Sequence, residues 1–551
     1  MELSRLIEVL SDPASYPHTA DAVEVRQTHI SAVFLAGPFA YKVKKPLDLG
    51  FLDYTTLGRR RHFCEQEVRL NRRLAPEVYL GTVPIAADGE AIRVEGPGEV
   101  VEWAVKMVRL PEEATLRERL RRGEVGPGLI EALARRIAAF NAQAGAGPAV
   151  ASFGRFDVVA GNARENFAQS VALLGTTLSR AVFERLQALT ESALAGLRPL
   201  IEARAARGVP RDGHGDLRLD HAYHFPDRPP PGDLVVIDCI EFNERFRCAD
   251  PVSDVAFPVM DLARLGRRDL ARAFADAYAL ASGDAEGLAL LPFYTAYRAA
   301  VRGKVEGMEL AEPEVPEAER ADALAQARAH WLLALGELEA PGRRPCLVLV
   351  GGLPGVGKST LARGLADRAG FVVIRSDEVR KALAGRAGAR AGESAFEAGI
   401  YAPAWTERTY AECLHRAEAR LFAGDRVLVD ASFRAEASRR AFLDAAARWG
   451  VPALLMACHA GPEVVHARLA RRREDASDAD WGIYLRATAR WEELGPASRP
   501  FNREIATGGS PVEALAQALD ALDRVGLWGS LRSDGAAPDS AAPGQSGPIA
   551  P

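Results

Sequence analysis

At 551 residues the chain exceeds what one hydrophobic core usually organises, so two or more domains are expected. Its 48% hydrophobic and 26% charged residues match ordinary soluble globular proteins and argue against a fibre or a globally disordered chain. A net charge of -5 gives no electrostatic ground for general binding to nucleic acid or to an anionic membrane. The six cysteines are scattered and form no Cys-x-x-Cys pair, which points to a reducing compartment without structural zinc. The first ten residues are amphipathic and acidic rather than a basic signal peptide, and no apolar run reaches bilayer length. A cytoplasmic protein without membrane contact is expected.

In chain order, residues 28–110 predict a small mixed lobe. Strands are expected at 29–35, 40–44, 81–85 and 100–110, around a helix at 57–74. Residues 112–310 carry apolar side chains mostly at helical spacing, such as Leu129, Leu133, Ile137 and Phe140, with short strand-like runs at 222–225 and 234–237. A Glu- and Pro-rich connection at 309–316 leads to a helix at 317–338, and the breaker run 341–345 marks a domain boundary. Beyond it, apolar runs at 346–350, 371–374, 426–430, 453–458 and 503–506 alternate with helical patterns. This predicts an α/β domain with a five-stranded parallel sheet and helices on both faces. The expected division is a first domain at 1–310, a linker with a helix at 311–344, a second domain at 345–528 and a disordered Ala/Pro/Gly/Ser tail at 529–551.

The most specific feature is Gly352-Leu353-Pro354-Gly355-Val356-Gly357-Lys358-Ser359, followed by Thr360, between an apolar strand and a helical run. It is a phosphate-binding P-loop. Its glycines let backbone N–H groups curl around phosphate oxygens, Lys358 reaches the outer phosphates, and Ser359 holds Mg²⁺. The next strand runs into Ser376-Asp377-Glu378-Val379-Arg380. There Asp377 either accepts the proton of a substrate hydroxyl or caps the helix, and Arg380 grips substrate or phosphate. Asp430 ends the third strand as a candidate holder of magnesium or its water. Arg468, Arg471, Arg472 and Arg473 form either a solvated helix face or a basic lid over a migrating phosphate.

Together these residues resemble the small P-loop kinases related to gluconate kinase, the polynucleotide 5'-kinases and the zeta toxins. That resemblance implies transfer of the γ-phosphate of ATP to a hydroxyl, with Asp377 as base, Arg380 on substrate, and Arg468 and Arg472 at the transition state.

A second constellation lies in the N-terminal half. His214-Gly215-Asp216-Leu217-Arg218-Leu219-Asp220-His221 precedes a strand ending Ile237-Asp238. Phosphoryl transfer needs an acid near the acceptor and separate metal-holding groups, roles that suit Asp216 and Asp238. With the acidic turn Asp250-Pro251-Val252-Ser253-Asp254, this resembles the aminoglycoside phosphotransferase group, which has a two-lobed protein-kinase-like fold. The resemblance implies a phosphate-contacting lysine, either Lys42 or Lys44 on the same strand face, paired with Glu67, and a hinge beside the adenine around Met107. Where that group has a metal-binding Asn, this chain has His221, although imidazole is a poor ligand for Mg²⁺. No G-x-G-x-x-G covers the phosphates; only Gly37 lies in the expected turn.

The fusion as a whole is similar to bacterial proteins described as bifunctional kinases. The expected function is an ATP- and Mg²⁺-dependent phosphotransferase with two sites. The alternatives are one active P-loop kinase with a ligand-sensing N-terminal pseudokinase, and a P-loop ATPase switch acting on a protein partner. Small-molecule acceptors are expected ahead of nucleic acid 5'-ends.

Overall fold

The structure, a computed structural model, describes residues 2–310, 316–385, 402–471 and 480–529. Six antiparallel strands form the N-terminal sheet: β1 (Val23–Gln27), β2 (Ser31–Ala36), β3 (Phe39–Lys44), β4 (Tyr79–Asp88), β5 (Ala91–Val94) and β6 (Glu99–Val108). Their order is β1-β2-β3-β6-β4-β5. The helix Leu57–Asn71 starts where the Thr56 hydroxyl accepts the N–H of Arg59, and it ends three residues before the expected Leu74. It packs on β6 and β4. The other face of the sheet, with Phe34, Tyr41 and Ile85, is covered by Leu6, Leu10 and Tyr16 of the N-terminal segment. The amphipathic start therefore seals a sheet. β1 and β5 were not expected: each alternates over only two apolar residues, Val23 and Val25 in one and Ile92 and Val94 in the other, too short a period-two signal. His29 falls in the turn before β2 rather than in a strand.

The second lobe is mainly helical, with a short hairpin of β7 (Ala222–His224) and β8 (Leu234–Val236). The helix Arg180–Ala206 carries a buried guanidinium, Arg204. It donates from Nε to Asp250 Oδ2 at 2.6 Å, from Nη2 to Asp250 Oδ1 at 3.0 Å, and from Nη1 to Asp284 Oδ1 at 2.7 Å. Removing one member of a buried, hydrogen-bonded ion cluster strands the others without solvent. Arg204→Met is therefore expected to lower unfolding stability by about 3–5 kcal/mol, read by urea denaturation; a change under about 1 kcal/mol would show that the cluster is structurally idle.

The C-terminal domain is a five-stranded, all-parallel sheet, as expected. Its strands are β9 (Cys346–Gly351), β10 (Val372–Arg375), β11 (Arg426–Asp430), β12 (Ala453–His459) and β13 (Asn502–Ala506), in the order β10-β11-β9-β12-β13. Strands β9 and β11 are wholly buried, which is why residues 346–350 and 427–429 read as unbroken apolar runs.

The helix Glu317–Leu338, expected as part of a linker, is built into a core. Its Trp331 lies so close to Gly303 of the helix Leu291–Glu309 that a Cβ there would sit 2.9 Å from the indole. His330 Nδ1 pairs with Glu306 Oε2 at 2.6 Å. One continuous apolar cluster runs from Leu262, Phe274 and Ala299 through Leu332 and Leu335 to Leu349, Val429 and Phe442. Polar clamps reinforce it. Arg264 donates to the carbonyl of Ala447 at 2.8 Å, and Arg185 to those of Gly424 at 3.0 Å and Arg343 at 2.6 Å. Part of the expected connection, residues 311–315, and the tail from 530 lie outside the described residues. Among the described residues no helix is long and apolar enough to cross a membrane.

Candidate active sites

In the N-terminal cleft, strand period two puts Lys42 and Lys44 on one face of β3, toward the helix that carries Glu67. The buried Glu67 takes both ammoniums, Lys42 Nζ on Oε1 at 3.0 Å and Lys44 Nζ on Oε2 at 2.7 Å. The two lysines then part. Lys44 is fully buried, also pairs with Glu241, and lies over the Tyr54 ring, whose hydroxyl donates to Glu241 Oε1 at 2.7 Å. Lys42 reaches Asp238 Oδ1 at 2.6 Å and keeps 13% side-chain exposure. Only Lys42 opens to the cleft. Burial opposes its charge, but Asp238 and Glu67 more than offset that and raise its pKa. Burial likewise works against the Asp238 carboxylate, yet Lys42, and then His221, hold it well below the usual range.

Asp238 is one of the few non-glycine residues with positive φ, at 65°. Its backbone N–H donates to the Tyr79 hydroxyl at 3.1 Å, and the next N–H, of Cys239, donates to Asn71 Oδ1 at 2.8 Å. Such a conformation persists where surroundings impose it. Asn71, Tyr79, Tyr54 and Glu241 escaped the sequence reading, because each reaches the cleft only through tertiary packing.

The loop bearing Asp216 is fixed from below. Asp254, in the acidic turn, accepts the N–H of His214 at 2.7 Å and of Gly215 at 2.8 Å. Gly215, at φ 88°, has no room for a Cβ, which would meet the Phe246 carbonyl oxygen at 3.0 Å. His214 bridges outward: its Nδ1 accepts the N–H of Asp216 at 3.2 Å, so Nε2 carries the hydrogen toward the Ile237 carbonyl at 3.0 Å. Burial lowers its pKa from 6.5 to about 4. Because the folded pKa lies below the unfolded one, the neutral ring's contribution is complete above pH 6.5 and is lost as pH falls through about 4. Stability is expected to drop by ~3 kcal/mol across that window. His214→Gln should flatten that part of the stability–pH curve, and an unchanged slope would refute the assignment. His221 Nδ1 lies 2.9 Å from the Asp216 carbonyl oxygen, and its Nε2 is 3.7 Å from Asp238 Oδ2. The structure thus brings Lys42, Glu67, Asp216, His221 and Asp238 together. Met107 is different: it is the second-last residue of β6, buried against Ala40 and Val235, and the connection to the helical lobe begins after Val108.

In the C-terminal domain the P-loop leaves the central strand β9 and enters the helix Lys358–Ala369. Gly352, Gly355 and Gly357 have φ of 141°, 78° and 112°, and a Cβ on Gly352 would lie 2.5 Å from the Cys458 carbonyl oxygen. Only glycine fits this curl. Val356 is buried and offers the loop only backbone, while Lys358 Nζ donates to the Leu353 carbonyl at 2.9 Å across the curl. Register places Arg375, Asp430 and Val350 in one row across β10, β11 and β9, so the Walker-type acid lies level with the start of the P-loop. The buried Asp430 has Oδ2 3.5 Å from Arg375 Nε.

Asp377 stands second in the helix Ser376–Leu383, where Arg375 is the cap position, so the alternative of a capping Asp377 is not what the fold shows. Arg380 is buried, and its Nη1 is 3.4 Å from the Thr406 hydroxyl. Arg468 is not a loose lid residue: it donates from Nη1 to the Val356 carbonyl at 2.9 Å and from Nη2 to that of Thr507 at 2.7 Å. It ties the P-loop to the segment after β13 and walls a cleft of about 320 Å³ shared with Lys358, Ser359, Thr360, Thr507 and Pro511. Thr507 and Pro511 gave no sequence signal because they converge on the P-loop only through β13. Arg472, the other expected lid residue, lies outside the described residues, as does Arg473.

These two halves define a class: a two-lobed, protein-kinase-like domain fused to a P-loop nucleotide-binding domain. Comparison with known proteins agrees for the second half, since residues 347–494 match the family described as "AAA domain". The chain is 32% identical over 497 residues to "Uncharacterized protein Rv2004c" of Mycobacterium tuberculosis, covering 90% of this chain and 94% of the relative, and equally to "Uncharacterized protein Mb2027c" of Mycobacterium bovis. It belongs to the same family as these mycobacterial proteins. Among solved structures, it is similar to an unliganded sugar kinase from Janibacter sp. HTCC2649 (19% identity, 32% of this chain and 95% of that one, TM-score 0.26). It is also similar to a GDP complex of aminoglycoside 2'-phosphotransferase-IIIa (13% identity, 57% and 94%, TM-score 0.37). These two likenesses are too slight to bear on the chemistry.

Proposed function

We propose that the protein is an ATP-dependent phosphotransferase with two separate sites, each moving the γ-phosphate of ATP to a hydroxyl of a small molecule. The observation that carries this reading is that each domain holds its own lysine and its own acids: Lys42, Asp216 and Asp238 in one, and Lys358, Asp377 and Asp430 in the other. In each, the acceptor oxygen attacks the γ-phosphorus as the bond to the β–γ bridging oxygen breaks, and the acceptor proton passes to Asp216 or Asp377.

At the P-loop, Ser359 and Asp430 present oxygen donors, a set that fits Mg²⁺. The ion supplies charge neutralisation on the phosphates when bound. Lys358 and the loop N–H groups orient the triphosphate, Arg380 orients the acceptor, and Arg468 keeps the loop and the cleft wall in register. At the N-terminal site Lys42 contacts the α and β phosphates while Glu67 holds it in place. The donor pair His221 and Asp238 there does not suit Mg²⁺. That mismatch also favours the second reading, an N-terminal domain that binds nucleotide as a ligand sensor. Incubation with γ-labelled ATP and a metabolite extract tests the proposal. Two labelled products of distinct mass are expected; a single product, or labelled inorganic phosphate alone, would defeat the two-site reading.

A further inference from the structure

We infer that the N-terminal site takes a divalent cation that accepts an imidazole nitrogen, a first-row transition ion such as Mn²⁺ carried with the nucleoside triphosphate, in place of Mg²⁺. The inference rests on reading that cleft as a nucleotide site.

It follows from the hydrogen-bonding of His221. A carbonyl oxygen only accepts, so the 2.9 Å contact between Nδ1 and the Asp216 carbonyl places the ring hydrogen on Nδ1. The lone pair of the neutral ring is then on Nε2, the tautomer that metal-binding histidines adopt when a backbone carbonyl takes their other nitrogen. Nε2 faces Asp238 Oδ2 at 3.7 Å, too long for a hydrogen bond between them. The other oxygen of Asp238 is already occupied by Lys42 at 2.6 Å, so Oδ2 is the one turned to His221. Two donors bound at about 2.1 Å to one octahedral ion lie about 3.0 Å apart when adjacent and about 4.2 Å when opposite. The observed 3.7 Å matches neither value, and a shift of about 0.5–0.7 Å in either side chain brings the pair to one of them. The left-handed backbone at Asp238, held by Tyr79 and Asn71, fixes the carboxylate in this direction before any ligand arrives.

The donor chemistry selects the ion. Mg²⁺ takes oxygen and gains little from imidazole, whereas affinity for a mixed nitrogen and oxygen set rises along the first-row series from Mn²⁺. Among the described residues no three His, Cys, Asp or Glu side chains converge to hold a metal by themselves. The remaining positions therefore fall to phosphate oxygens and water, and the cation arrives with the nucleotide.

The test uses the full chain carrying Lys358→Ala, which weakens the P-loop, with a non-hydrolysable ATP analogue, and counts as N-terminal only the binding that a further Lys42→Ala removes. Nucleotide affinity is measured with Mn²⁺ and with Mg²⁺, and the Mn²⁺ complex is examined by pulsed electron paramagnetic resonance for nitrogen modulation. Binding is expected to be about tenfold or more tighter with Mn²⁺, with clear nitrogen modulation. His221→Asn should abolish the modulation and bring the two affinities within about twofold. His221→Gln, compared by circular dichroism melting, separates lost ligation from lost folding. If the nucleotide binds without nitrogen modulation, or the modulation survives His221→Asn, the inference is overturned and the nucleotide site stands. If no nucleotide binds with either ion, both fall.

Discussion

Replacing Lys358 by alanine is expected to cut phosphoryl transfer at the P-loop by about 10²–10³-fold, equivalent to ~3–4 kcal/mol of transition-state stabilisation, while leaving the N-terminal product untouched. In the structure the ammonium spans the loop to the Leu353 carbonyl, at the position where outer phosphate oxygens are cradled in loops of this shape. Its loss removes a fixed positive charge from the place where negative charge builds during transfer. It leaves the glycine curl intact, because that curl is set by backbone conformation and by the Arg468 clamp. Quantifying the two labelled products separately reads the effect. If both products vanish together, the domains share one catalytic cycle, and the proposal of two enzymes fails.

The converse substitution, Asp216→Asn, should lower formation of the N-terminal product by about 10²–10⁴-fold and spare the P-loop product. Asparagine preserves the shape of the side chain and removes its capacity to take a proton. The loop around it is held mostly by backbone groups, the Asp216 N–H on His214 and its carbonyl on His221, and these survive the change. A variant with unaltered melting but full activity would show that the proton leaves by another route. A wild-type chain that forms no N-terminal product while still binding nucleotide there would instead support the sensor reading.

Much of the fold can be read from the sequence where burial is complete. Strands β9 and β11 are wholly enclosed, so their apolar runs place them closely, and the P-loop can be read because its shape is dictated by adjacent glycines. Strand β1 escapes although Val23 and Val25 alternate with Glu24 and Arg26, because two apolar residues are too short a period-two signal. At the N-terminal site the resemblance points to Lys42 and leaves Lys44 as an alternative, because period two puts both on one face. What separates them is Glu241 and Tyr54, nearly two hundred residues apart in the chain, which close over Lys44 alone. Arg468 shows the same limit: helical spacing marks a basic face, but its carbonyl partners on the P-loop and after β13 exist only in three dimensions.

The breaker run at 341–345 looks like a place to cut the protein in two, and the shared core says otherwise. Gly450 and Gly424 of the P-loop domain lie so close to the N-terminal side that a Cβ would meet the Ala329 carbonyl oxygen at 2.8 Å and Val182 at 2.9 Å. Severed there, each half would carry a raw apolar wound into solution and seek other proteins to cover it. A cell making this chain therefore gets both sites in fixed one-to-one proportion, and cannot tune the dose of one against the other by trimming the polypeptide.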